Sequence, residues 1–130
     1  MVEECIVNDK PVSMVLIGAG NRGAKIFGQY ALDMPHRVRF AGVVEPDRAR
    51  RESFGEAHGI PKTRQFTTCK QFLQESKLAD GVVVATPETD RTGPVLGALE
   101  AAYDVLVEQP LAGTAREVAQ IGEVVRKSEA

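Results

Sequence analysis

Met14-Val15-Leu16-Ile17-Gly18-Ala19-Gly20-Asn21-Arg22-Gly23 carries a short apolar run into a loop with Gly-x-Gly-x-x-Gly spacing. A helical pattern leaves it. That strand–turn–helix order is the context in which the spacing reads as a dinucleotide-binding fingerprint. Gly18 would allow the tight turn, Gly20 would let the backbone approach a pyrophosphate, and Gly23 would let helix and strand pack closely. Free N–H groups of the loop and the helix dipole favour an anion at the helix N-terminus. Turns also collect glycine for conformational reasons alone, so the meaning of the loop depends on what accompanies it.

On both sides of the loop, strands alternate with helical patterns. Val12 or Ser13 to Ile17 is apolar throughout, as a parallel strand covered on both faces should be. Ala24, Phe27, Ala31 and Met34 then recur at helical spacing until Pro35. Val38 to Val44 reads as a second strand ending at Glu45-Pro46, and Asp47 caps a helix stopped by Gly59 and Pro61. Thr63 to Thr67 is a short third strand, and Gln71 to Ser76 a brief helix. Gly81 to Ala85 is the most apolar strand; Leu96, Leu99 and Ala102 mark the next helix, with Pro94 in its first turn. Val105 to Val107 is a fifth strand. Thr114 and Glu117 form a capping-box pattern ahead of a helix reaching Ser128. The alternation predicts an α/β fold, a doubly wound parallel sheet of the Rossmann type. Residues 1–12 read as an N-terminal arm and 13–130 as the domain.

Composition narrows the function classes. The chain has 130 residues, 43% hydrophobic and 26% charged, with a net charge of −2. That length suits one domain. The charge offers no electrostatic case for nucleic acid or an anionic membrane surface, and no apolar run approaches a membrane span. The N-terminus lacks the basic and apolar regions of a secretory signal. Cys5 and Cys69 stand apart and read as reduced thiols of a cytoplasmic protein. His36 and His58 read as solvated side chains near element ends, and no metal site is indicated.

In a doubly wound sheet, ligands lie outside the carboxyl ends of the strands. Glu45 closes the second strand 22 positions after Gly23, near the spacing of about 20 at which an acidic side chain meets the ribose hydroxyls of NAD. Arg48, Arg50 and Arg51 follow. Arginines here can pair with the 2′-phosphate of NADP, which Glu45 would repel. A solvated helix face is the alternative for at least two of them. NAD is therefore preferred, with NADP left open. Thr86-Pro87-Glu88 follows the fourth strand and Glu108-Gln109-Pro110 the fifth.

With these strand ends the chain resembles the N-terminal domain of the glucose–fructose oxidoreductase, inositol dehydrogenase and rhizopine-catabolism (Gfo/Idh/MocA) family. The glycine loop, the acidic second-strand end, Ala85-Thr86-Pro87 and the run Val105-Leu106-Val107-Glu108-Gln109-Pro110-Leu111-Ala112 carry the resemblance, which extends from Ser13 onward. It implies an NAD(P)-binding Rossmann domain ahead of a second, mostly antiparallel domain that supplies the sugar or polyol pocket. The implied cofactor-contacting positions are Gly18, Gly20, Asn21, Arg22, Gly23, Glu45, Arg50, Thr86, Pro87, Arg91, Glu108 and Gln109.

The chain departs from the family pattern at three positions. Gln109 stands where the family has a lysine that helps move the proton of the reacting hydroxyl. A glutamine cannot titrate near neutral pH. Glu88 stands where Asn or Asp is usual, and Arg91 where a His opens the next helix. The family also continues into a sixth strand and a substrate domain, so the chain is expected to be a fragment or a shortened form. An uncovered sheet edge would then favour self-association. Two function classes follow: the cofactor domain of an oxidoreductase acting on a sugar-like substrate, or a regulatory module that binds the nucleotide without catalysis. Methyl transfer from S-adenosylmethionine also uses a glycine loop, but leaves the Thr86-Pro87 and Glu108-Gln109-Pro110 motifs unexplained. A fold without a ligand would require the glycines and Glu45 to coincide by chance.

Overall fold

Among the described residues, apolar runs bounded by turns build a five-stranded, wholly parallel sheet. The computed structural model describes residues 10–128; Cys5 and most of the expected arm lie outside them. The strands are β1 (Val12–Ile17), β2 (Val38–Val44), β3 (Gln65–Phe66), β4 (Gly81–Val84) and β5 (Asp104–Val107), in the sheet order β3-β2-β1-β4-β5. Helix α1 follows the glycine loop as a π-helical segment, Gly23–Gly28, that runs into an α-helical one, Gln29–Asp33. The others are α2 (Arg48–His58), α3 (Cys69–Leu73), α4 (Thr92–Glu100) and α5 (Ala115–Lys127).

Successive strand residues face opposite sides, and both sides are covered. Val15, Ile17, Val82 and Val84 pack with Phe72, Val95, Leu99 and Ile121 beneath α3, α4 and α5. Leu16, Val43 and Val83 pack with Ala31, Phe40 and Phe54 beneath α1 and α2. Val15, Leu16, Val82 and Val84 have no solvent exposure, which is why these strands read as continuous apolar runs rather than alternating ones. β5 differs. As an edge strand it leaves Leu106 51% exposed.

Local chemistry explains the helix ends. Asp47 accepts the Arg50 N–H at 3.0 Å, and Gly59 closes α2 in the left-handed conformation. Thr68 and Gln71 form a complete capping box at α3, so that helix starts at Cys69, ahead of the expected position. The Thr114 pattern is only half a box. The Thr114 hydroxyl accepts the Glu117 N–H, but Glu117 directs its other oxygen to the Thr92 hydroxyl at 2.7 Å, tying α5 to α4. Ala102, expected on a helix face, instead lies beyond the end of α4 with φ of +65°. Its left-handed turn lets the Tyr103 N–H return to the Ala98 carbonyl.

His58 also departs from its expected solvated state. Its ring stacks on Phe54 with centroids 4.1 Å apart and meets Phe40 edge-on at 5.5 Å. The partner helix makes room through Gly28, where a Cβ would approach Phe54 to 2.7 Å and His58 to 3.2 Å. Burial among these rings pushes the His58 pKa below its ordinary value. The unfolded chain therefore binds the proton more readily, so His58 supports the fold fully above about pH 6.5 and less as pH falls below it. Urea denaturation should show stability declining from pH 6.5 to 5, and His58→Phe should flatten that decline. An unchanged slope in the variant would assign the loss to other groups.

Candidate functional site

The three glycines of the loop meet three different demands. Gly18 has φ of +96°, and a Cβ there would lie 2.9 Å from the Ala85–Thr86 peptide. A Cβ on Gly23 would fall 2.0 Å from the Gly18 carbonyl oxygen, so only glycine lets α1 begin against the loop. Gly20 is open: the nearest atom to its added Cβ is Arg50 Nη1 at 4.0 Å. Two glycines shape the loop, and the third leaves room in front of it.

That room is a cleft of about 870 Å³ across the carboxyl ends of the strands, within the usual range of about 300–1,000 Å³ for small-molecule sites. β1 contributes Gly18, Gly20, Asn21 and Arg22, and β2 contributes Glu45, Pro46 and Arg50 of α2. Beyond β4 lie Ala85, Thr86, Pro87, Asp90 and Arg91, and beyond β5 lies Glu108. β1 is where the order reverses: the chain builds outward to β2 and β3, then crosses to β4 and β5. Gly23 lies beneath the loop, and the exposed Gln109 is not among the cleft-lining residues. Thr67, Thr68 and Cys69 also line the cleft and were not anticipated. The Thr68-x-x-Gln71 spacing was the available signal, since it places the β3 exit and the α3 start at the same sheet edge. Burial pushes the Cys69 thiol pKa up, which favours the unreactive protonated form.

Polar groups around the cleft divide into engaged and available ones. Glu45 is 6% exposed; one oxygen accepts the Ala19 N–H at 2.8 Å and the other the Asp47 N–H at 2.9 Å. It therefore ties the glycine loop to the β2 exit. Arg51 donates to the Glu45 and Pro46 carbonyls, and Arg48 pairs with Glu52 on the helix surface. Arg50 makes no side-chain hydrogen bond among the described residues and borders the open face of Gly20.

Arg91 is buried, at 5% exposure. Its guanidinium donates to the carbonyls of Thr86, Glu108 and Pro110, bracing the β4 and β5 exits together. Its Nε has no partner among the described residues. Arg22, at the start of α1, forms a two-pronged pair with the Glu108 carboxylate, both contacts at 3.0 Å. The Arg22 guanidinium holds the Glu108 carboxyl below the usual carboxylate range, against desolvation, with help from the Gln109 N–H. Among the described residues no cluster of His, Cys, Asp and Glu could hold a metal ion.

The Glu45 geometry makes a direct test. Removing its carboxylate strands two backbone donors, so Glu45→Ala should cost about 2–4 kcal/mol in urea denaturation, and Glu45→Gln, which keeps one acceptor oxygen, roughly half. A loss below about 0.5 kcal/mol for the alanine variant would show that the loop does not depend on this carboxylate.

Comparison with known proteins agrees with the geometry. Among solved structures, the chain is similar to the WlbA dehydrogenase from Chromobacterium violaceum in complex with NADH and UDP-GlcNAcA, with TM-score 0.82, 22% identity, and coverage of 92% of this chain and 33% of that one. It is also similar to myo-inositol 2-dehydrogenase from Lactobacillus plantarum, with TM-score 0.80, 19% identity and coverage of 92% and 34%. A 3-ketoreductase from Actinomadura kijaniata in complex with NADP gives TM-score 0.77, 20% identity and coverage of 92% and 36%. The chain thus spans about a third of the length of these proteins, and the likeness carries the fold. No curated protein matches the sequence. Residues 12–130 match the family model for the Gfo/Idh/MocA oxidoreductases, NAD-binding Rossmann fold, so the chain belongs to that oxidoreductase family and forms its NAD-binding Rossmann domain.

Proposed function

We propose that this domain holds the dinucleotide for an NAD(P)-dependent oxidoreductase acting on a sugar or polyol-like substrate, with the substrate pocket supplied by a second domain. The carrying observation is the cleft at the strand carboxyl ends with Gly20 open toward it. A nicotinamide dinucleotide, when bound, would supply the hydride acceptor or donor. The residues present fit such a group. Gly18 to Gly23 and the start of α1 would face the pyrophosphate, with Asn21 and Arg22 beside it. Glu45 would meet the adenosine ribose, since each of its oxygens keeps acceptor capacity beyond one N–H bond. Thr86, Pro87 and Glu108 would border the nicotinamide end, held in place by Arg91.

NAD is preferred over NADP because the Glu45 charge opposes a 2′-phosphate, although Arg50 stands close enough to the loop to moderate that preference. The second reading is a module that binds the nucleotide without catalysis. It is supported by Gln109, which is exposed, does not line the cleft and cannot exchange a proton near neutral pH. No helix among the described residues is long and apolar enough to cross a membrane. We read the protein as cytoplasmic, without a nucleic-acid partner, and able to self-associate through the half-exposed β5 edge.

Thermal shift should show stabilisation by NADH greater than by NADPH, amounting to about 2.7 kcal/mol when ligand is at 100 times Kd. Gly20→Ala should leave the unliganded melting temperature nearly unchanged and weaken NADH binding about tenfold or more, because its Cβ enters the open cleft rather than the core. Stabilisation by S-adenosylmethionine alone would overturn the assignment.

A further inference from the structure

Arg22 and Glu108 come from opposite sides of the cleft. Arg22 stands at the start of α1, one residue beyond Asn21 in the glycine loop, whereas Glu108 directly follows β5. β4 lies between β1 and β5 in the sheet, so their ion pair reaches over the β4 exit, a span of two strand spacings or about 10 Å. Both residues line the cleft. The guanidinium uses Nε and Nη2 in a parallel fork, each nitrogen 3.0 Å from a different carboxylate oxygen. A phosphate presents the same pair of oxygens to that fork. The Arg22 side chain is 63% exposed and its Glu108 partner 15%, so the arginine can leave while the carboxylate stays against the protein.

We infer that Arg22 is a phosphate-binding residue held in reserve by Glu108, exchanging the carboxylate for the dinucleotide's pyrophosphate when the cofactor enters. This rests on the nucleotide-binding reading above. Glu108 is then an internal competitor that sets affinity, and it keeps the loop's only guanidinium aimed into the cleft before binding. Arg91 cannot share the task, because its side chain is buried and its two terminal nitrogens are taken by three carbonyls. No covalent step is involved; one charge-assisted pair replaces another.

A double-mutant cycle on the 130-residue chain tests the exchange, with NADH as the probe and calorimetric Kd as the readout. Glu108→Gln should tighten NADH binding about two- to fivefold, the range expected from releasing an exposed ion pair. Arg22→Gln should weaken it about tenfold or more, the loss expected for a hydrogen bond to a charged group. The double variant should bind as Arg22→Gln does, because Glu108 acts only through Arg22. Arg22→Lys, which keeps the charge without the fork, should fall between wild type and Arg22→Gln. If Glu108→Gln tightens binding equally in both backgrounds, the carboxylate acts through its field alone and the exchange is overturned. Weaker binding in Glu108→Gln, with the unliganded melting temperature lowered, would overturn it in favour of a purely structural pair. Wild type that binds no NADH would instead remove the nucleotide reading and this inference together.

Discussion

The closest constraint in the molecule is the approach of Gly23 to the carbonyl oxygen of Gly18, where an added Cβ would stand 2.0 Å away. Any side chain at residue 23 would force α1 away from β1 and open the turn between them. With the hydrogen atom of glycine there, the helix starts directly above the end of the central strand. The same closeness continues at Gly28, where α1 crosses the ring pair of Phe54 and His58. Helix α1 is thus positioned by the lack of a side chain at Gly23 and Gly28, and its N-terminus borders the cleft as a consequence.

Once the loop is set, the charges around it sort by solvent access. Glu45 and Arg91 are both buried, and among the described residues neither pairs with an opposite charge. Backbone groups partner them instead: two N–H donors for the carboxylate, and three carbonyls for the two terminal nitrogens of the guanidinium. A buried charge without such partners would cost several kcal/mol. These two residues hold strand exits in register, one on each side of β1. The exposed residues Asn21, Arg22 and Arg50 line the same cleft. Buried charges therefore frame a set of exposed polar side chains.

Much of the architecture was legible because its causes are local. The glycine spacing, the proline stops, the Asp47 cap and the uninterrupted valines of β4 each act within a few residues. Two of the three misses have longer-range causes. His58 was expected in solvent because nothing nearby in sequence reveals that Phe40, 18 positions away, brings an aromatic edge to it. The Glu117 carboxylate was expected to close a capping box, but Thr92, 25 positions earlier, takes one of its oxygens. Ala102 continues the helical spacing of Leu96 and Leu99, yet a local return bond from the Tyr103 N–H to the Ala98 carbonyl turns the chain there.

The sequence by itself determined the doubly wound α/β class, the position of the glycine loop and the set of strand ends that border the cleft. Periodicity and glycine spacing carry that information, since they govern backbone geometry over short distances. Tertiary structure alone decided which polar side chains are engaged and which are available. Arg91 and Arg22 look alike as exposed or ligand-facing arginines in the chain. Folding buries the first against carbonyls of two loops and pairs the second with Glu108, 86 positions away. Hydrogen-bond capacity is consumed by whichever groups the fold brings within about 3 Å, and for these residues those groups come from distant segments.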